Sequence, residues 1–269
     1  MEPLLIAVIA AGAVSAFAWI ASLVTKDCSW VDRLWSIAPI GYVWIFAIAS
    51  GFDARATLMA VLVTAWGARL TFNFARKGGY SGVEDYRWPI LRARMRPWQF
   101  QVFNLLFIVL FQNAVILLMT LPIHTAFEHR GGALTAADAV LAIAFLACLA
   151  GETVADEQQW RFQAAKRAGG PEFRPRFVQS GLWRYSRHPN YFFELAQWWI
   201  VFLFGAVAAG TLLEWTVAGA ALLTILFVGS TIFTESITRS RYPEYADYQA
   251  TTSPIVPWFP RRRSASAVA

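Results

Sequence analysis

Charge is scarce in this chain. Of 269 residues, only 15% are Asp, Glu, Lys or Arg, against about 25% in a soluble domain. Cysteine is nearly absent: Cys28 and Cys148 are the only two, far apart in sequence. Neither a disulfide framework nor a cysteine-based zinc pattern is available from them. There are three histidines, His124, His129 and His188. The first two are read into an outside loop far from any acidic cluster, and no metal is expected. No glycine-rich dinucleotide fingerprint follows a strand, and there is no Walker loop. There is no nucleophile elbow of the Gly-x-Ser-x-Gly type. Nothing resembles a nucleic-acid-binding module, so no nucleic acid is expected. A bound nucleotide would have to be held by side chains and loops at helix ends. Linkers, repeats and low-complexity tracts are also missing. The reading is one membrane domain over 1–260, followed by a basic tail, 261–269 "RRRSASAVA", expected to be disordered with its arginines near lipid headgroups.

What is abundant is apolar sequence. The chain is 57% hydrophobic with a mean hydropathy of +0.45. A bilayer crossing needs about 20 mainly apolar residues, and seven stretches qualify: roughly 4–24, 34–51, 56–75, 99–121, 136–158, 191–209 and 212–234. The first opens "MEPLLIAV", which lacks a basic leader and is long enough to span, so it is kept as a helix rather than a cleaved signal. The fold class is all-α, a polytopic membrane protein with seven transmembrane helices. Nearly all of the 23 basic residues fall on one side if the N-terminus is outside; the opposite loops carry only Arg55 and Arg130. The positive-inside rule then puts the C-terminus in the cytoplasm. The excess of +6 lies on that face. It serves either contact with anionic lipids or a basic vestibule for a phosphate-bearing ligand.

Two inside loops are long, 76–98 and 159–190, and the second is read as helix until Gly169-Gly170-Pro171. Elaborate loops on one side mark a cytoplasmic working face. Ionisable residues in spans are costly and suggest function. Asn190 and Glu194 are four apart on one helix face. They suit a carboxamide or hydroxyl ligand, or Glu194 merely pairs with an arginine at the interface. Glu152 and Asp156 repeat that spacing late in the fifth span, where a solvated helix start is the plainer reading. Asp32 and Arg69 could pair across helices. Glu235 and Arg239 are expected to pair locally at the end of the seventh span. His188 is either a titratable contact or a packing residue beside Pro189 at a helix start.

The stretches "GLWRYSRHPNYFFE" at Gly181–Glu194, "VEDYRW" at Val83–Trp88 and "RYPEYADY…PIVPWFP" near the C-terminus, with Asp156, carry a resemblance. Together they resemble the steroid 5-alpha-reductase family, and more closely its bacterial DUF1295 branch, over about residues 30–260. The resemblance implies seven helices in a bacterial inner membrane, NADPH entering from the cytoplasm, and a steroid-like or other lipid enone entering from the bilayer. It matches the family's Asn-x-x-x-Glu element to Asn190 and Glu194, its cofactor-binding Asp to Asp156, and its C-terminal Tyr to Tyr248, with Arg239 or Arg241 upstream. Arg174, Arg176, Arg184 and Arg187 are assigned to the cofactor's phosphates, and Tyr185 and His188 to the cofactor more generally. On the substrate side the family's Glu corresponds to Asp32 and its Tyr to Trp66, a departure that leaves Tyr86 or Tyr80 to supply a phenol. The "RHPxY" element is shared with isoprenylcysteine carboxyl methyltransferases, which use S-adenosylmethionine, and sterol C14 reductases are also related. A methyltransferase and a non-enzymatic lipid-binding membrane protein are the alternative readings.

Overall fold

The computed structural model describes residues 1–261. Among them there are helices and one isolated bridge, Ser186 to Ser253, and no strand. The helices are α1 Pro3–Thr25, α2 Trp30–Leu34, α3 Ala38–Ala49, α4 Ala54–Arg76, α5 Arg87–Ala93, α6 Pro97–Phe103, α7 Gln112–Thr120, α8 Pro122–Glu128, α9 Ala136–Ala168, α10 Pro189–Ala209, α11 Val217–Arg241 and α12 Tyr245–Thr251. A π-helical segment, Asn104–Phe111, joins α6 to α7.

Seven helical segments are long and apolar enough to cross a bilayer: Pro3–Thr25, Trp30–Ala49, Ala54–Arg76, Pro97–Glu128, Ala136–Ala168, Pro189–Ala209 and Val217–Arg241. The chain is an all-α integral membrane protein. The sequence reading errs at the ends. The fourth segment does not stop at 121. Pro122 sits at the first position of α8, where its missing N–H costs nothing, and the helical path runs on to Glu128. His124 is therefore a buried residue of that segment and not part of a loop. The fifth segment extends to Ala168 and breaks at a 3-10 turn, Gly170–Glu172, as the glycines and proline predict. The basic tail beyond 261 lies outside the described residues.

The chain divides into two compact units, 1–145 with 198–223, and 146–197 with 224–261. The first unit is built on the pairing of α3 with α4. Gly67 makes this possible: a Cβ there would lie 2.5 Å from the Ser36 carbonyl oxygen. Ser36 Oγ meets Thr71 Oγ1 at 2.7 Å, and Trp44 donates its indole N–H to Thr64 at 2.9 Å. At the α4 N-terminus Asp53 caps the helix by accepting from the backbone N–H groups of Arg55 and Ala56. Arg55 forms a buried, two-pronged ion pair with Asp138 at 2.7 and 2.9 Å. Loop 76–98 folds onto the α1–α2 junction. Arg92 grips Glu84 at 2.6 Å, and Glu84 accepts from the Cys28 backbone N–H at 3.0 Å. Burial pushes the Cys28 thiol up from its ordinary value, so it is a packed thiol rather than a reactive one.

In the second unit α9 and α10 pack closely at Gly151, where a Cβ would lie 2.5 Å from the Phe193 ring. The turn before α10 is pinned to α9 by two bonds: Trp183 donates its indole N–H to the Ala155 carbonyl at 3.1 Å, and the Leu182 backbone N–H reaches Gln158 at 2.9 Å. Gly181 begins that turn at φ +62 with no room for a Cβ beside Gln158, so only glycine fits.

Candidate functional site

The second unit contains a ladder of polar side chains on facing helices. Gln197 of α10 donates to Glu152 of α9 at 2.7 Å, which sets the register. One turn onward in α9 is Asp156. One turn back in α10 is Glu194, and a further turn back is Asn190. Glu152, Asp156 and Glu194 are all buried, at 3%, 4% and 4% exposure, so Glu152 and Asp156 are not the solvated helix start that their spacing also allowed. Glu157 does behave as a surface acid and pairs with Arg161 at 2.7 Å. Three amide oxygens along the ladder, Asn190 Oδ1, Gln159 Oε1 and Gln197 Oε1, are buried and have no hydrogen-bond partner among the described residues. A buried acceptor left unmet costs about 1–3 kcal/mol. The ladder thus presents unmet amide oxygens suited to a ligand that donates N–H or O–H, as a carboxamide does.

The start of α10 is held from behind by one buried hub. Glu235 of α11 accepts from Arg187 at both oxygens (2.6 and 3.0 Å), from His188 Nε2 at 3.0 Å, from the Tyr245 hydroxyl at 3.2 Å and from Gln249 at 2.8 Å. Arg187 gives its remaining Nη1 to the carbonyls of Gln249 and Thr252. These contacts zip the C-terminal segment onto residues 185–187. The Arg187 backbone N–H meets the Ser253 carbonyl at 2.8 Å, Ser186 Oγ donates to the Ile255 carbonyl at 2.7 Å, and the Trp258 N–H meets the Tyr185 carbonyl at 2.9 Å.

The hub corrects three expectations. Glu235 pairs with Arg187 and His188, 48 and 47 residues away, and not with Arg239 one turn along its helix. Arg187 spends its guanidinium inside the protein and leaves the phosphate-binding set. Tyr248 donates to the Trp183 carbonyl from a buried position. Burial pushes its phenol up from the ordinary value. His188 is likewise held, stacked on Tyr191 at 5.1 Å, with its Nε2 on Glu235.

The other basic residues are placed differently. Arg174, Arg184, Arg239 and Arg241 are exposed and Arg176 is half-buried. Arg174 turns back onto the Pro171 and Phe173 carbonyls. Tyr185 is 37% exposed, edge-on to Phe259.

The residues expected to hold a substrate carbonyl, Asp32, Trp66 and Tyr86, all belong to the first unit. Asp32 accepts from the Trp88 indole at 3.1 Å. It does not pair with Arg69, as the sequence suggested; "VEDYRW" closes over it instead. Trp66 is wholly buried and edge-on to Trp198 at 4.8 Å. Tyr86 is half exposed at the start of α5. Among the described residues no group of three or more His, Cys, Asp or Glu could hold a metal ion. A recess of about 350 Å³ lies along α9, lined by Thr153, Val154, Glu157, Gln158 and Arg161.

Comparison with known proteins gives a consistent family. The model of the family described as "Protein of unknown function (DUF1295)" matches residues 18–252. An uncharacterized protein of Schizosaccharomyces pombe is 36% identical over 250 residues, covering 86% of this chain and 73% of the yeast protein. No solved structure matches the chain. On that match, which takes in both units and the whole polar ladder, the chain belongs to the DUF1295 family.

Proposed function

We propose that the protein is a membrane-embedded oxidoreductase that transfers a hydride from NADPH to the C=C bond of a conjugated enone in a steroid-like or other lipid. The observation that carries this reading is the ladder: the unmet amide oxygens of Asn190 and Gln159 lie one turn along their helices from the buried residues Glu194 and Asp156. The residues present fit a nicotinamide. Asn190 Oδ1 and the Glu194 carboxylate accept from its carboxamide N–H groups. The exposed arginines of the same unit meet its phosphates, where the guanidinium fork suits bidentate contact.

NADPH supplies the hydride when bound; the protein supplies position and electrostatics. The hydride adds to the enone's β-carbon, a proton to its α-carbon, and negative charge builds on the carbonyl oxygen in between. A donor aimed at that oxygen in a dry site lowers the barrier. We assign Asp32, Trp66 and Tyr86 to that end of the substrate; Trp66 offers an N–H and Tyr86 an O–H. The basic asymmetry of the loops supports a cytoplasmic cofactor site and an outside N-terminus, in a bacterial inner membrane.

Thermal unfolding of the purified protein in mild detergent tests the cofactor class. NADPH should raise the transition and S-adenosylmethionine should not, since binding to the folded state alone stabilises it. Stabilisation by S-adenosylmethionine alone would make the ladder a methyl-donor site. No shift with either would leave a lipid-binding protein without this chemistry.

A further inference from the structure

Among the described residues the two most exposed aromatic side chains are neighbours, Phe259 at 77% and Trp258 at 69%, and Val256 close by is 60% exposed. All three stand on the loop that follows α12. The ends of this loop meet, because the Arg261 N–H reaches the Thr251 carbonyl at 2.9 Å, which makes it a compact Ω-loop. Pro254, Pro257 and Pro260 recur at every third residue and restrict its backbone. Its inner edge is fixed by the bonds from Ser253, Ile255 and Trp258 to residues 185–187, just ahead of Pro189, where the membrane segment of α10 begins. Phe259 also lies edge-on to the Tyr185 ring at 6.2 Å. The exposed side chains therefore stand at the height where α10 enters the bilayer. Large apolar groups exposed together mark an interaction surface, and an indole, apolar in body with one N–H, favours the membrane–water interface. The charge agrees. Arg261 is exposed and is followed in sequence by Arg262 and Arg263, and no Asp or Glu occurs from 248 to 269.

We propose that loop 252–260 is a membrane-interface anchor. Val256, Trp258 and Phe259 enter the headgroup region beside α10, and Arg261 meets anionic phospholipid, so that apolar burial and charge attraction act together. The occupant is the bilayer that the chain already spans. The proposal uses no residue of the polar ladder and does not depend on the reductase reading. It gives the start of α10 two holds: Glu235 grips Arg187 and His188 from inside the protein, and a loop seated in lipid grips residues 185–187 from outside.

Spin-label accessibility in nanodiscs of phosphatidylcholine and phosphatidylglycerol tests it. Labels are placed by Val256→Cys and Phe259→Cys in the full chain with Cys28→Ala and Cys148→Ala. Val256→Cys keeps both aromatic rings, so its readout does not depend on losing one. Ile225→Cys, exposed within the α11 span, serves as the lipid reference, and Glu172→Cys, exposed outside the spans, as the water reference. Oxygen concentrates in lipid and a nickel complex in water. Labels at 256 and 259 should be reached by oxygen and shielded from nickel, as at Ile225. Labels reached by nickel as at Glu172 overturn the anchor. So do labels shielded from both reagents, which would mean that protein covers the patch, as in contact with a second copy. Omitting phosphatidylglycerol should raise the nickel accessibility at both positions; an unchanged profile would overturn the part given to Arg261.

Discussion

Glu235→Ala should destabilise the protein by about 3–5 kcal/mol, the loss expected when one partner of a buried ion pair is removed and the other is left uncompensated. The side chains of Arg187 and Glu235 are only 9% and 8% exposed, so water cannot replace the lost carboxylate. Three other residues reach Glu235, and Arg187 also carries the Gln249 and Thr252 carbonyls. The substitution therefore frees the C-terminal segment as well as the pair. Denaturant unfolding in detergent reads the stability, and limited trypsin digestion reads the release, which should open cleavage at Arg261. Arg187→Lys should recover little, because an ammonium cannot serve two carboxylate oxygens and two carbonyls with a planar fork. A loss below about 1 kcal/mol would mean that the hub does not hold the segment.

Asn190→Ala and Glu194→Gln should each weaken NADPH binding by roughly 10- to 100-fold while the protein stays folded. Asn190 Oδ1 has no partner to lose in the absence of ligand, so its removal should leave the melting transition without NADPH nearly unchanged. That separates a ligand contact from a packing residue: a packing role would lower the unliganded transition and leave the affinity alone. Glu194→Gln keeps the shape and one acceptor oxygen but loses the charge. If both variants bind NADPH as the wild type does, the ladder is not the nicotinamide site.

Long apolar runs made the seven segments legible, because a bilayer imposes length and composition on every crossing. The end of α9 was equally plain, since Gly169, Gly170 and Pro171 cannot continue a helix. The fourth segment runs longer than its apolar stretch suggests. That stretch reads as ending at 121, yet Pro122 at the first position of α8 lets the path continue. Local spacing also found Asn190 with Glu194 and Glu152 with Asp156, because partners four apart share a helix face whatever the fold. The same rule failed at Glu235. Arg239 was the natural partner along the helix, but burial favoured Arg187, 48 residues away, whose five donors could satisfy a desolvated carboxylate. Asp32 and Trp88, 56 residues apart, were missed for the same reason. Arg187, His188 and Tyr248 stood in the right stretch of sequence, but their polar atoms face inward, and no spacing shows which way a side chain turns.

Deuteride transfer tests the central claim most directly. The protein in lipid vesicles would be given NADPH deuterated at the nicotinamide C4 position and a panel of lipid enones, and the products weighed by mass spectrometry. The account predicts a saturated ketone one deuteron heavier, labelled at the β-carbon, with the α-proton taken from water and with the product lost in Asn190→Ala. Label absent from every product, alongside normal NADPH binding, would contradict hydride transfer to an enone. Methyl transfer from S-adenosylmethionine in the same vesicles would overturn the reductase reading altogether.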